Sequence, residues 1–171
     1  MSPKEMIKLA DDVSAFMHNE AVRIIGTRAK NHFKQSFQRG QEGFIDENLE
    51  KWDDIKPSSR RAKAKKNGDS APILTRSGQL ADDIGDWSAD FNDQSVTFGS
   101  NKPYAKIHNE GGVISGSQTV KAHTRKGRPV KEHTRNVHTV IPKRQYMGKS
   151  KKMEEQIFKD IEKGLDKIFN K

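Results

Sequence analysis

The 171 residues include no cysteine, which excludes disulfides, thiolate metal sites and cysteine catalysis, and the length fits one domain over residues 1–171. Hydrophobic residues make up 32% and charged residues another 32%, at a mean hydropathy of −0.95, so the composition allows a modest core with charged extensions and excludes a large apolar interior. The net charge of +9 favours acidic partners, while the lack of any run near the roughly 18 apolar residues of a membrane span, and of an apolar stretch after Met-Ser-Pro-Lys-Glu-Met, predicts a soluble protein made in the cytoplasm.

Residues 2–38 predict one long helix. Ser2, Pro3 and Glu5 form a start signal, in which serine caps free N–H groups, proline suits the first turn and glutamate completes a capping box. Apolar residues at Met6, Leu9, Val13 and Phe16, then at Ile25, Ala29, Phe33 and Phe37, trace one stripe. The stripe drifts near Asn19–Glu20, where a kink is expected, and Gly40 and Gly43 end it.

Residues 41–70 read as an extended, mobile loop anchored on the core by Phe44 and Trp52. Arg60, Arg61, Lys63, Lys65 and Lys66 form a basic run without an apolar face, the pattern of a solvated loop. In 73–109, Ser77-Gly78-Gln79-Leu80 turns into a short element, Ile84 to Phe91 suits a strand, Asn92-Asp93 a turn, and Val96 to Gly99 a returning strand. Pro103 to His108 suggests a short turn or helical piece closed by Gly111-Gly112.

Residues 113–141 contain a near repeat. Val120-Lys121-Ala122-His123-Thr124-Arg125 recurs as Val130-Lys131-Glu132-His133-Thr134-Arg135 around a turn holding Lys126-Gly127-Arg128-Pro129. This predicts a projecting hairpin arm with little apolar content beyond its valines. From Lys121 to Arg144 there are eight Lys or Arg against one Glu, a local charge of +7. Residues 150–170 form a final helix, capped by Ser150, with an apolar face at Met153, Ile157, Ile161, Leu165 and Ile168. Helix, strands, helix predicts an α+β fold, an antiparallel sheet packed with the two helices and a basic β-hairpin projecting from it.

Catalytic patterns fail on their own chemistry. Gly148-Lys149-Ser150 resembles the end of a phosphate loop, but position 143 is lysine where the loop needs glycine, so an ordinary helix cap is the better reading. His108-Asn109-Glu110 matches the histidine–glutamate spacing of zinc deaminases, whose other ligands are cysteines. On an ideal strand His133 and His138 point to opposite faces, so with His123 they do not converge on a metal. Asp53-Asp54 and Asp82-Asp83 are neighbours that diverge and make poor acid–base pairs. The expectation is no enzyme, no cofactor and no metal. The basic arm carries the functional content, with Arg125, Lys126, Arg128, Lys131, Arg135, Lys143 and Arg144 as candidate partner-binding residues. No aromatic lies between residues 105 and 145, which argues against base stacking but leaves phosphate-backbone contact open.

Three stretches in order resemble the phage virion morphogenesis family, also described as tail completion or neck proteins. They are Ile73-Leu74-Thr75-Arg76-Ser77-Gly78-Gln79-Leu80; Val96-Thr97-Phe98-Gly99-Ser100 with Tyr104 to Gly112; and Ile141-Pro142-Lys143-Arg144-Gln145-Tyr146-Met147-Gly148 before the last helix. Gln145 stands where proline is common, and the doubled His-Thr-Arg arm is longer than the minimal pattern. The resemblance implies structural roles for Leu74, Gly78, Leu80, Gly99, Tyr104, His108, Gly111, Pro142, Arg144 and Gly148. It also implies a homo-oligomeric ring that meets other phage tail or neck proteins at the head–tail junction or tail end of a virion, assembled in the bacterial host cytoplasm without catalysis. A charge-driven nucleic-acid-binding protein is the alternative, with steep salt dependence as its signature.

Overall fold

The computed structural model describes residues 1–60, 72–75, 77–84, 87–90 and 94–170. Helix α1 (Pro3–Ala15) starts on a full capping box: Glu5 N–H donates to Ser2 Oγ at 3.3 Å, and Ser2 N–H donates to Glu5 Oε2 at 2.5 Å. It passes through a π-helical segment (Phe16–Ala21) into α2 (Val22–Gln35). A π turn holds more residues than an α turn and so rotates the apolar stripe. That extra rotation is the physical cause of the drift at Asn19–Glu20.

Two short strands, β1 (Gly43–Ile45) and β2 (Leu49–Lys51), pair antiparallel, so residues 43–51 of the 41–70 segment are a hairpin. Residues 57–60 are helical, and the part of the basic run beyond Arg60 lies outside the described residues. Helix α3 (Gln79–Asp83) follows, then β3 (Trp87–Asp90), β4 (Ser95–Phe98) and helix α4 (Ala105–Glu110). Ile84 does not open a strand: it caps the end of α3 and is wholly buried, and β3 starts at Trp87. Strands β5 (Gly112–Val120) and β8 (His133–Ile141) form a nine-pair ladder, and β6 (His123–Arg125) with β7 (Arg128–Val130) forms its tip. Helix α5 (Lys151–Phe169) ends the chain, with Ser150 Oγ accepting the Met153 N–H at 3.1 Å.

The fold is α+β. Among the described residues its strands pair two by two in four separate antiparallel ribbons rather than in one sheet. Helix α2 is the central element, because it packs against α5 through one face and against β1, β3 and β4 through another. On the strand side Phe33 meets Phe98 edge-on, with ring centroids 5.2 Å apart. Phe37 stands between Trp52 at 5.6 Å and Tyr146 at 5.2 Å. Phe33, Phe37, Trp52 and Tyr146, with Ala29, Phe44, Ile73, Leu80, Ile84 and Ala105, make the buried core, and Phe98 packs against it. On the helical side α1 and α5 bury no residue fully, and Phe158 and Phe169 stay exposed. No described helix is long and apolar enough to cross a membrane.

Candidate docking interface

The segment from Ile141 to Ser150, with Arg144, Tyr146 and Ser150 buried, bolts the hairpin to the core. Arg144 N–H donates to the His108 carbonyl at 2.8 Å. The Asn109 side-chain oxygen accepts the N–H groups of Tyr146 at 2.9 Å and Met147 at 3.0 Å. The Tyr146 hydroxyl donates to the Ala105 carbonyl at 2.8 Å, and Trp52 Nε1–H donates to the Gln145 carbonyl at 2.7 Å. The irregular stretch 142–148 thereby satisfies backbone groups on α4 and on the chain that follows β2. Glycine is required where the pieces meet: Gly111 has φ +75°, and a Cβ there would sit 2.8 Å from the Lys143 backbone nitrogen.

Burial sets the electrostatics of this junction. It pushes the Tyr146 phenol up to about 12, helped by the nearby Asp83 charge and by Tyr104. It lowers His108, with the Arg144 charge adding to the effect, and the buried His108 Nδ1 has no hydrogen-bond partner among the described residues. Burial also lowers the Arg144 guanidinium, opposed by Asp53 and Asp54, although an arginine stays charged throughout the working range.

From this base the hairpin extends as a ribbon. Among the described helices and strands β5 and β8 make substantial contact only with each other, and apart from Val120, Val137 and Ile141 their residues are exposed. At the far end Lys126 (φ +50°) and Gly127 (φ +76°) make the two-residue turn with both φ values positive that suits the right-handed twist of a hairpin. The sequence repeat has a structural meaning. Val120 pairs with His133 and Val130 pairs with His123, so the repeats flank a matched two-residue interruption, Lys121-Ala122 opposite Lys131-Glu132. Both halves behave alike: His123 Nδ1–H donates to the Lys121 carbonyl and His133 Nδ1–H to the Lys131 carbonyl, each at 3.0 Å. At this interruption a concavity of about 480 Å³ opens, its lining including Lys121, His123, Arg125, His133 and Arg135.

The structure brings Arg125, Lys126, Arg128, Lys131 and Arg135 together at the arm's outer end, all exposed. None of them forms an ion pair among the described residues, unlike Arg28 with Asp160, Arg60 with Asp54 and Lys151 with Glu47. Arg135 instead donates from Nη2 to the Gln118 side-chain oxygen at 3.0 Å. Lys143 lies apart at the arm's base. Arg144 departs from the group altogether: it is buried, and its Nη2 donates to the Asp53 carbonyl at 3.2 Å, so it braces the 42–54 stretch and presents nothing to a partner.

The motif residues fall mostly around the core. Leu80 is buried, Leu74 packs against the core with φ +62°, and Gly78 (φ +74°) caps α3. Tyr104 stacks edge-on over His108 at 6.0 Å. A side chain at Gly148 would meet the Gln145 amide at 2.5 Å, whereas Gly99 faces open space and Pro142 is half-buried. Asn109 holds two backbone donors yet escapes sequence reasoning. Its signal is an amide side chain in the last turn of a helix that ends at Gly111-Gly112.

A family model described as the phage virion morphogenesis family matches residues 9–166. No curated protein and no solved structure matches the chain significantly.

Proposed function

The chain belongs to the phage virion morphogenesis family, and from that premise we propose that it acts without catalysis in tail completion or head–tail joining, by docking onto other tail or neck proteins. One observation carries the reading. Six cations, Lys121 together with Arg125, Lys126, Arg128, Lys131 and Arg135, stand exposed at the end of a ribbon that packs on little but itself, and none forms an ion pair with a described residue of its own chain. Unpaired charge on a projecting element steers and orients an oppositely charged partner more than it stabilises the fold. The partner surface is therefore acidic. On this reading residues 1–171 form one α+β domain, 113–141 are the docking arm, and assembly starts in the host cytoplasm and ends at the head–tail junction or tail end.

The cation-lined concavity favours one second reading, contact with the phosphate backbone of nucleic acid. The test combines the charge reversals Arg125→Glu and Arg128→Glu. A phage lacking this gene is complemented with the variant, and joined heads and tails are counted by electron microscopy. Duplex DNA affinity is followed against salt in parallel. Docking predicts a folded variant that leaves particles unjoined, with DNA binding by the unaltered protein fading at moderate salt. Normal joining by the variant, or DNA binding that survives moderate salt, overturns it.

A further inference from the structure

The stalk of the arm differs chemically from its tip. Of the eighteen residues in β5 and β8, Arg135 is the only Lys, Arg, Asp or Glu, in a chain that is 32% charged. The ladder runs for nine pairs without a bulge or a proline, from Gly112↔Ile141 to Val120↔His133. Each strand has one neighbour only, so among the described residues the outer edges of both are unpaired. Val113, Ile114 and Val140 are exposed at the inner end. Long exposed edges are normally blunted by lysine, proline or bulges, because their free N–H and C=O rows pair with other strands. Along the nine pairs no lysine, proline or bulge occurs, and Arg135 is the single charged side chain. A two-stranded ribbon is also only marginally stable by itself in water.

We propose that the stalk is a strand-pairing interface between copies of this chain, the free β5 edge of one copy adding to the free β8 edge of the next in the hairpin's own register. The inference rests on the docking reading above and names a second copy as one partner. Two features select that occupant. The free edges belong to strands of equal length and opposite direction, so one chain carries both halves of a complementary joint, and repetition gives a head-to-tail assembly. The faces also match: Val113, Ser115, Ser117 and Thr119 lie on the same face as Val140, His138, Asn136 and Thr134, so pairing across copies would repeat the rows already present within one hairpin. The Ser115–His138 hydrogen bond at 3.1 Å shows the cross-strand contact such a row makes. Aligned stalks bring the cationic tips side by side. Their repulsion weakens as salt rises, so self-association strengthens with salt, opposite to docking of the tips on an acidic partner.

The absence of cysteine makes the test direct. Chains carrying Ser117→Cys and chains carrying Asn136→Cys, both at exposed positions, are purified, mixed and oxidised, while light scattering follows the unaltered full chain across concentration and salt. The proposal predicts mixed disulfide dimers at about tenfold or more over those of either variant alone, since paired strands hold opposite thiols in reach. It also predicts a mass that grows with salt. A monomer at every concentration and salt overturns it, as do equal yields from single variants, and as does an oligomer that gives no mixed cross-link. None of these outcomes touches the docking reading, which stands or falls on particle joining by the tip variants.

Discussion

The indole N–H of Trp52 donates to the carbonyl of Gln145 at 2.7 Å across 93 residues of chain, in a core where Phe37 touches both Trp52 and Tyr146. The bond holds the stretch after the β1–β2 hairpin against the base of the arm. Trp52→Phe keeps an aromatic ring and removes the donor, leaving a half-buried carbonyl without it. The expected loss is about 1–3 kcal/mol, read as a lower midpoint in urea with an unchanged slope.

Asn109 separates an acceptor from a spacer. Asn109→Ala strands the N–H groups of Tyr146 and Met147 and should destabilise by about 2–4 kcal/mol. Asn109→Asp keeps an oxygen for both donors and should stay within about 1 kcal/mol of the unaltered chain. Thermal unfolding of the two variants checks the contrast; equal losses would show that the side chain only fills space.

The helical layer turns on one close approach. A Cβ at Gly164 in α5 would run into the Phe16 ring of the π-helical segment. Gly164→Ala alone should therefore destabilise by about 1–3 kcal/mol through overpacking. In a Phe16→Ala background the ring is gone, and the same change should stabilise by up to about 1 kcal/mol through helix propensity. A double-mutant cycle reads the change of sign.

Two histidines make stability depend on pH. His32 is buried, donates Nε2–H to the Ile45 carbonyl at 2.7 Å and meets Phe33 and Phe44 edge-on; burial, then the Lys152 charge, lowers it, opposed by the Ile45 hydrogen bond and Asp46. His108 is lowered for the reasons given above. The unfolded chain protonates these rings near their ordinary value of 6.5, while the folded chain resists to lower pH. Protons thus bind the unfolded state first, and stability falls as pH drops below about 6.5, by at most about 1.4 kcal/mol per pH unit for each ring. His32→Gln and His108→Gln should each flatten the difference in melting temperature between about pH 7.5 and about pH 5.5. An unchanged difference would remove that histidine from the account.

Local signals were legible in the sequence and distant ones were not. The capping box, the apolar stripes of α1, α2 and α5, and the Lys126-Gly127 turn depend on residues a few positions apart, so spacing alone reveals them. The α+β class followed from their order. The repeat marks a hairpin over 113–141 but not the register of the ladder from Gly112 to Ile141, because the stalk has no charge alternation to mark its faces. Arg144 read as surface because charge in a basic run usually is; its burial depends on a carbonyl at Asp53, 91 residues away. Asn109 and the Phe16–Gly164 approach likewise depend on partners that only the folded chain brings near.

The length of the stalk decides what a partner senses. Nine residues of extended chain put the tip about 30 Å beyond the base. Mobile ions in a cell damp a field over about 8 Å. The tip thus lies several damping lengths from most acidic side chains of the body, which cannot offset it. An approaching surface meets the local cations rather than the average of the molecule, so the overall charge of +9 says little about where attraction acts.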